Sequence, residues 1–461
     1  MRGIEAALNV LSSVNRKSPD QNRKSGKFAI EMLRKLAAQE NMKSTDISLA
    51  SSLIYISMRR RELWQKIAAD YLVKSNPEAN FAKLPGFVRD CVVMGTGGLL
   101  ELRRFSGGVL VNGILENLRA RNFGKFTALV NAILHKVGEL GAQKLEAIKN
   151  SSRIEERAMW AGIPVWSLPA WLKTWDRTEL NQICDYMIQQ PASTLRISPN
   201  LDQSEVMELV AKFEKFGAEI SKLSGAIHLR ETVNPTELDG FNEGKFTVQS
   251  ESSILAASII NKFANLGRKN FGHILDMCSG RGVKAGQILQ ECESSELECW
   301  EISENRQKSA LNELKRLGVV ERAIFKTGNA LELSPENQPD FVMLDAPCTG
   351  SGTWNRKPES KWNLSWENLD KSVYTQKKLL AHAVNLCKSG GYVLYITCSL
   401  LKQENENVIA EILAKNPGCI DVTSFLNWKT RPFRKGKPWG VYIMPETPWL
   451  DGFYCALILR K

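Results

Sequence analysis

The chain has 461 residues, of which 43% are hydrophobic and 24% are charged, with ten cysteines and a formal net charge of +11. This balance is typical of a globular protein of two or three domains and argues against a disordered chain. No run of eighteen uncharged apolar residues occurs, and the first residues, MRGIEAALNVL, do not resemble a secretory signal, so we expect a cytoplasmic protein with no membrane partner.

The basic excess lies in the first third of the chain. Residues 1–150 hold 24 Lys and Arg against 13 Asp and Glu, whereas the two classes balance over the remainder. Apolar residues recur there at helical spacing, and breaks at SPDQNRKSG, VKSNPEANFAKLPG and GTGG are expected to separate the helices. We therefore predict an all-helical domain over 1–150 with one basic side suited to a phosphate backbone, the alternative being a solvated helical face. The basic residues are Arg59, Arg60, Arg61, Arg103, Arg104, Arg119, Arg121 and Lys125.

A connecting region follows over residues 151–245. Four tryptophans and two prolines indicate a packed, irregular junction: Trp160, Trp166, Trp171, Trp175, Pro164 and Pro169. Beyond them, TLRISP at 194–199 predicts a strand, and SEVMELVAKFEKFG at 204–217 has the spacing of an amphipathic helix. A small α+β subdomain is the expected result.

From residue 246 to residue 461, strands and helices alternate. The predicted strands are HILDMC (273–278), ELECWEIS (296–303), RAIFKTG (322–328), DFVMLDAPC (340–348) and GYVLYITCS (391–399), with helices at 304–318 and 366–387 between them. Such alternation is typical of a parallel sheet covered by helices. The expected fold of this part is therefore a Rossmann-like α/β domain.

The turn after the first of these strands, in ILDMCSGRGVKAGQI, suggests a nucleoside cofactor. Gly280 and Gly282 let the backbone approach a ligand, and Lys284 adds a charge at the start of the next helix. Glu301 ends the second strand 25 residues after Asp276, where a carboxylate accepts ribose hydroxyls. The loop has neither a dinucleotide nor a triphosphate fingerprint, so S-adenosylmethionine fits best, the alternative being a tight turn and a surface glutamate.

Two cysteines fifty residues apart, Cys348 in DAPC and Cys398 in TCS, each close an apolar run. In an open α/β sheet, ligands bind outside the carboxyl ends of the strands, so both thiols could face one substrate, one to attack and one to release. The other cysteines form no CxxC pair and the four histidines lie far apart, so we expect reduced thiols and no metal site. The residues alone do not order the two thiols.

These motifs resemble those of the RNA 5-methylcytosine methyltransferases of the NOL1/NOP2/Sun family. DAPCTGSG, TCS and the following ENE at 404–406 carry the resemblance, together with the cofactor loop DMCSGRGVK, GKFTVQSESS at 244–253 and the closing DGFYCALILRK. Three residues lie where the family has a basic loop after DAPC: Arg356, Lys361 and Trp362. The first third, with FTALVNAILHKV at 126–137, resembles a NusB-like RNA-binding domain, a combination that implies bacterial 16S ribosomal RNA as the substrate.

The resemblance implies a role for each matching residue. Cys398 matches the nucleophile that adds to carbon 6 of cytosine, Cys348 the thiol that assists product release, and Asp345 the residue serving N3. Cytosine-5 enzymes that act on DNA use the cysteine after a proline as nucleophile, so Pro347 alone would suggest the reverse order. The residues implied to bind S-adenosylmethionine are Cys278, Ser279, Gly280, Arg281, Gly282, Val283, Lys284, Glu301, Asn329 and Asp345.

Some positions depart from the family pattern. In the cofactor loop, Arg281 stands where proline is usual and Val283 where a second glycine is usual. Asn329 replaces an aspartate that usually contacts the adenine, although its amide still offers an acceptor. Ser250 replaces an acidic residue after Gln249. No departure affects either thiol or Asp345.

Other functions remain open at this point. The chain is expected to act as a monomer on a cytosine flipped from a loop or bulge of 16S ribosomal RNA. Transfer RNA as the substrate is opposed only by the NusB-like domain, and a DNA substrate by the TCS motif. A non-catalytic NusB-like RNA-binding scaffold is opposed by the intact Cys348, Cys398 and Asp345.

Overall fold

The computed structural model describes residues 2–15, 29–75, 80–102, 105–231, 233–267, 271–293, 295–426, 428 and 432–461. The chain forms two compact units. The first consists of Met1–Leu168, Arg177–Ile188 and Trp354–Asn363, and the second of Pro169–Asp176, Gln189–Thr353 and Leu364–Lys461. The domain boundaries expected near residues 150 and 245 stay predictions.

The first unit is all-helical, as expected. Its helices, numbered along the chain, are α1 (Arg2–Asn15), α2 (Ala29–Gln39), α3 (Ser44–Arg59), α4 (Arg61–Ser75), α5 (Gly86–Glu101), α6 (Gly107–Ala120), α7 (Thr127–Lys149), α8 (Ile154–Ala161) and, after α9 (Leu168–Thr174), α10 (Arg177–Met187). One apolar cluster joins α1 to α7, with Trp64 and Leu53 completely buried in it. Within the described ranges, no helix is long and apolar enough to cross a membrane.

The predicted break at GTGG is wrong, because these residues lie inside α5, the most buried helix of the bundle. A Cβ atom at Gly95, Gly97 or Gly98 would come within 2.5–2.7 Å of side chains on the neighbouring helices. The glycines therefore permit close helix packing instead of ending the helix. Of the other predicted breaks, SPDQNRKSG lies outside the described residues.

The junction after residue 150 is packed, as expected, but it is helical and not irregular. Trp171 and Trp175 are almost completely buried, and Pro169 occupies the first turn of α9, where a missing N–H costs no hydrogen bond. Lys361 and Trp362 of the predicted basic loop fold into the first unit. The Lys361 ammonium donates to the carbonyl oxygens of Arg59 at 2.8 Å and Gly162 at 2.5 Å.

The predicted basic side is only partly available to a ligand. Arg59 donates to the carbonyl oxygen of Ile188, and Arg60 pairs with Glu101 at 3.0 Å and lies over the Trp160 ring. Arg119 and Lys125 are exposed, whereas the predicted Arg103 and Arg104 lie outside the described residues. Several of these arginines thus support the fold.

The second unit contains a small antiparallel sheet in the order β2-β3-β1-β4. Its strands are β1 (Ser193–Ile197), β2 (Glu219–Ile220), β3 (Ile227–Leu229) and β4 (Phe246–Val248), with α11 (Gln203–Lys212) packed against them. Asp202 and Glu205 form a capping box that fixes the start of α11. Leu195, Phe213 and Phe246 share the apolar core of this layer, which matches the predicted α+β subdomain.

The larger sheet has nine strands in the described part of the chain, in the order β11-β12-β13-β9-β8-β5-β6-β7, with β10 beside β13. The strands are β5 (His273–Asp276), β6 (Glu296–Glu301), β7 (Ala323–Thr327), β8 (Phe341–Asp345), β9 (Tyr392–Thr397), β10 (Cys419–Asp421), β11 (Phe433–Lys435), β12 (Val441–Ile443) and β13 (Phe453–Arg460). The helices are α12 (Glu251–Ala257), α13 (Ile259–Gly267), α14 (Val283–Glu291), α15 (Glu304–Arg316), α16 (Trp366–Leu386) and α17 (Glu406–Lys415).

All five predicted strands are present, and β7, β6, β5, β8 and β9 pair in parallel. The sheet is nevertheless mixed, because β13 runs antiparallel to β9 and continues into β12 and β11. The chain leaves β5 in one direction and returns to its other side at β8. In such sheets the crevice at this reversal point is where ligands bind.

Candidate active site

The predicted site residues gather at the carboxyl ends of neighbouring parallel strands. Asp276 ends β5, Glu301 ends β6 and Asp345 ends β8, while Cys398 directly follows β9. These four strands, β6, β5, β8 and β9, are neighbours paired in parallel, so the side chains lie along one edge of the sheet. The fold thus brings the predicted cofactor and thiol residues to one place.

The loop from Cys278 to Lys284 is held by its glycines and by β6. Gly280 and Gly282 have positive φ angles of 58° and 77°, which favour glycine. A Cβ atom at Gly282 would lie 2.8 Å from the Cβ of Ala310, so this glycine also lets α14 approach α15. Ser279 donates its N–H to the Trp300 carbonyl at 2.9 Å, which fixes the loop against the second strand.

Charged groups line the floor of this loop. Lys284 donates to Oδ2 of Asp345 at 2.6 Å. Burial lowers the pKa of Lys284, but the charge and hydrogen bond of Asp345 outweigh it, so the pKa lies above its ordinary value. Burial, with the Asp345 charge, raises the pKa of Asp276 to about 7. Oδ2 of Asp276 is buried and has no hydrogen-bond partner, as expected of a group that meets a ligand.

Glu301 and Asn329 lie further along the same edge. Glu301 accepts from the Ser303 N–H and pairs with Arg306, both at 2.9 Å through Oε1. Ile302, the next residue, is 53% exposed, an unusual apolar surface beside a carboxylate. Asn329 accepts from the Leu331 N–H and therefore supports its own turn.

These residues fit S-adenosylmethionine. The acidic groups match ribose hydroxyls and a cationic sulfonium, the exposed Ile302 offers a surface for a purine ring, and the loop holds glycines where a backbone must approach a ligand. Arg281 and Val283 differ from the family pattern, but Arg281 is exposed and Val283 is half-buried. Neither side chain therefore fills the buried space beneath the loop. Ser250 begins α12 without a side-chain capping bond, and nothing in the structure explains its replacement of an acid.

The two thiols meet at the opposite end of this edge. Sγ of Cys348 and Sγ of Cys398 are 3.3 Å apart, and all ten cysteines of the chain are thiols. The hydrogen bond with Cys398, together with burial, raises the pKa of the Cys348 thiol well above its ordinary value. The two sulfurs are therefore close enough for one thiol to donate to the other, and either can be the donor.

A buried carboxylate joins the two loops that carry the thiols. Glu404 is completely buried and accepts from the N–H of Thr349 at 2.9 Å and from its hydroxyl at 2.5 Å. It also accepts from the hydroxyl of Ser399 at 2.5 Å and from the amide of Gln376 at 3.0 Å. Thr349 follows Cys348 and Ser399 follows Cys398, so one side chain fixes both loops.

Further bonds hold the same pair of loops. Ser351 and Ser399 hydroxyls lie 3.0 Å apart, and the Gly352 N–H donates to the Cys398 carbonyl at 3.0 Å. A Cβ atom at Gly352 would lie 2.0 Å from the Gly452 carbonyl oxygen, so no side chain fits there. Residues 349–352 (TGSG) therefore hold the turn that carries Cys398 in place.

Sequence reasoning did not assign a role to Glu404, to Gln376 or to the pairing of Lys284 with Asp345. The ENE motif was visible at 404–406, but it gave no indication of which groups the carboxylate contacts. Ser399 lies only five residues from Glu404, but Thr349 and Gln376 lie 55 and 28 residues away, so only the fold connects these two with the carboxylate.

We expect Glu404→Gln to lower turnover about 10²-fold, because an amide offers one acceptor oxygen where four donors converge and the thiol loops would shift. Glu406→Gln is the matched control, since Glu406 is also buried but accepts from the Tyr442 hydroxyl and the Lys437 N–H. Two rates should fall in Glu404→Gln and not in Glu406→Gln. The first is turnover, and the second is the rate at which diamide forms a Cys348–Cys398 disulfide, followed by peptide mass spectrometry. Equal rates in both variants would contradict a positioning role.

Within the described residues, no group of three or more His, Cys, Asp or Glu side chains is placed to hold a metal ion.

Comparison with known families gives two matches. Residues 264–459 match the family described as 16S rRNA methyltransferase RsmB/F, and residues 3–139 match the NusB family.

The names of curated relatives agree with the first of these matches, and a solved structure shares the fold. The probable ribosomal RNA small subunit methyltransferase B of Synechocystis sp. is 25% identical over 431 residues, covering 89% of this chain and 90% of the relative. The ribosomal RNA small subunit methyltransferase B of Proteus mirabilis is 31% identical over 307 residues, covering 64% of this chain and 66% of the relative. The crystal structure of PH0851 superposes with a TM-score of 0.75 at 21% identity, covering 99% of this chain and 98% of that one, and so has the same fold.

Proposed function

This chain is an S-adenosylmethionine-dependent methyltransferase of the RsmB/F family that carries a NusB family domain, and we propose that it methylates carbon 5 of a cytosine in 16S ribosomal RNA. The observation that carries the cytosine-5 assignment is the pair of thiols 3.3 Å apart at the carboxyl ends of β8 and β9. Methyl transfer to a nitrogen or to a ribose hydroxyl needs no thiol. The names of the relatives support ribosomal RNA as the substrate.

Carbon 5 of cytosine is a poor nucleophile until a group adds to carbon 6. The Cys398 thiolate would form a bond to carbon 6, and the ring electrons would then attack the methyl group from carbon 5. A base must next remove the carbon 5 proton, and the carbon 6–sulfur bond breaks to regenerate the thiolate and the aromatic ring. S-adenosylmethionine supplies the methyl group when it is bound.

The geometry supports a division of labour between the thiols. Cys398 would attack as the thiolate, as the resemblance of its TCS motif implies, and Cys348, whose thiol pKa is raised by its hydrogen bond with Cys398 and by burial, would keep its proton and assist release. Asp345 would serve N3, and the Lys284 ammonium, 2.6 Å from Oδ2 of Asp345, would offset the negative charge that develops in the ring during addition. The Lys284 ammonium would also favour the thiolate form of Cys398 by its charge.

The cofactor would be held by the loop from Cys278 to Lys284, by Asp345 and by the edge residues Glu301 and Asn329. Glu301→Gln should weaken S-adenosylmethionine binding about 10-fold, because a charged acceptor of the ribose hydroxyls becomes neutral. Glu304→Gln, an exposed change at the start of α15, is the matched control. Calorimetric titration with S-adenosylmethionine measures both, and equal affinities would remove Glu301 from the site.

An RNA containing 5-fluorocytidine tests the proposed reaction directly. Fluorine at carbon 5 leaves no proton to remove after methyl transfer, so the carbon 6–sulfur bond persists. We expect an RNA–protein complex that survives denaturation, forms only with S-adenosylmethionine present, and carries the RNA on the peptide containing Cys398. Attachment to Cys348 would reverse the two roles, and methyl transfer without any adduct would exclude the covalent route.

A further inference from the structure

A cavity of about 510 Å³ lies inside the helical unit, remote in sequence from the thiols. It is lined by Ser12 of α1, Arg61 at the start of α4, the first turn of α5 (Gly86, Phe87, Arg89 and Asp90), and Arg121 and Phe123 after α6. This volume is within the range of ligand-binding sites. Sequence reasoning counted Arg61 and Arg121 in a basic side but gave them no specific role.

The lining of this cavity is strongly cationic. Three guanidinium groups, from Arg61, Arg89 and Arg121, share it with the single carboxylate of Asp90, which lies 3.8 Å from Arg61. Burial lowers the pKa of Arg61; the Asp90 charge opposes this effect and the Arg89 charge adds to it. Crowding three cations in a partly buried space costs free energy, which a bound anion would recover.

Two features of the cavity wall favour a hydrogen-bond acceptor. Nε of Arg89 is buried and has no hydrogen-bond partner, which is uncommon for a guanidinium nitrogen. Helix α5 begins at Gly86 after Pro85 with no side-chain cap, so the positive end of its dipole also faces this space. The geometry therefore favours an anion with several oxygen acceptors.

An aromatic wall stands beside these cations. The Phe87 and Phe123 rings stack with centroids 5.6 Å apart, and the Arg121 guanidinium lies 4.7 Å from the centre of the Phe87 ring. Arg121 is fixed in that place by a hydrogen bond to the Asn9 side chain. Guanidinium groups next to aromatic rings are typical of surfaces that hold a nucleotide by its phosphate and its apolar faces.

We propose that this cavity binds a phosphodiester of the RNA substrate, with the cationic groups on the phosphate oxygens and the Phe87–Phe123 wall beside the sugar or base. This assignment rests on the proposed RNA substrate, but it concerns binding and not the methyl-transfer step. Bidentate guanidinium contacts to phosphate explain why arginine, and not lysine, lines the cavity.

Arg89→Gln tests the proposal, with Lys136→Gln as the matched control. Lys136 is an exposed residue of α7 in the same unit, and its change removes the same charge. Equilibrium binding of the full chain to a small-subunit ribosomal RNA fragment should weaken about 5- to 10-fold in Arg89→Gln, and the salt dependence of log K should lose about one unit of slope. Lys136→Gln should change the RNA affinity and the salt slope by much less.

Thermal unfolding separates this role from a structural one. If Arg89 serves a ligand, its removal relieves repulsion, so the Tm of the RNA-free variant should stay the same or rise while RNA affinity falls. A lower Tm with unchanged RNA affinity would show that Arg89 only supports the fold and would overturn the proposal. Inorganic phosphate that raises the wild-type Tm without any effect of Arg89→Gln on RNA affinity would also overturn it, in favour of a small-anion site.

The outcome is independent of the proposed reaction. RNA affinity is measured without methyl transfer, so a wild-type chain that binds RNA through Arg89 but forms no 5-methylcytosine would contradict the proposed function alone. A chain that forms 5-methylcytosine while Arg89→Gln binds RNA with wild-type affinity and salt slope would contradict the cavity assignment alone.

Discussion

Cys398→Ala is expected to abolish methyl transfer, with a loss of at least about 10⁴-fold in turnover. Without the thiolate no bond forms at carbon 6, and carbon 5 stays too weak a nucleophile to take the methyl group. Transfer of label from S-adenosylmethionine to unmodified small-subunit ribosomal RNA measures this loss. Affinity for S-adenosylmethionine should remain, because the proposed cofactor contacts lie at the ends of β5, β6, β7 and β8 and in the loops that follow them.

Cys292→Ala is the control for this variant. Cys292 is a half-buried thiol of the same unit, at the end of α14, and it has no proposed role. We expect near-normal turnover from it. Substantial activity in Cys398→Ala would show that the reaction does not pass through this thiol and would remove the basis of the cytosine-5 proposal.

Cys348→Ala is expected to fail in a different way. Addition at carbon 6 and methyl transfer can proceed with Cys398, but without Cys348 the release step slows, and turnover should fall about 10²- to 10⁴-fold. The unreleased intermediate is a bond between Cys398 and the methylated ring. A denaturing gel should therefore show an RNA–protein complex that depends on S-adenosylmethionine.

The two alanine variants form a matched pair, because each removes one of two sulfurs 3.3 Å apart. The double variant Cys348→Ala/Cys398→Ala should form no adduct, since the attacking sulfur is absent. An adduct in Cys398→Ala and none in Cys348→Ala would reverse the assignment. The pair thus tests the order of the thiols, which the residues alone leave open.

Much of the fold was predictable because its signals are local. The five parallel strands are continuous apolar runs, and the helices between them have clear helical periodicity. These two patterns predicted the Rossmann-like domain and the edge of its sheet where the candidate site lies. The glycines of GTGG misled the prediction, because a glycine that ends a helix and one that admits a neighbouring helix look alike in sequence. Strands β11 and β12 have only three residues each and give little local signal.

The candidate site was predictable only as a set of positions. Strand ends located Asp276, Glu301, Asp345 and the two cysteines at one edge of the sheet. Their chemistry depends on contacts that no spacing reveals, above all the hydrogen bond of Lys284 to Asp345 and the hydrogen bonds of Glu404 to Thr349 and Ser399, which lie in loops 50 residues apart. Such long-range hydrogen bonds are set by the packing of the whole unit.

Cytosine-5 methylation of ribosomal RNA is tested most directly by methyl transfer from labelled S-adenosylmethionine to unmodified small-subunit ribosomal RNA and, in parallel, to unmodified transfer RNA, followed by nucleoside analysis. We expect label in 5-methylcytosine from the ribosomal RNA, at one or a few positions, and none with Cys398→Ala. Label only in transfer RNA would keep the reaction and overturn the substrate. Label in any modified nucleoside other than 5-methylcytosine would contradict methylation at carbon 5 of cytosine.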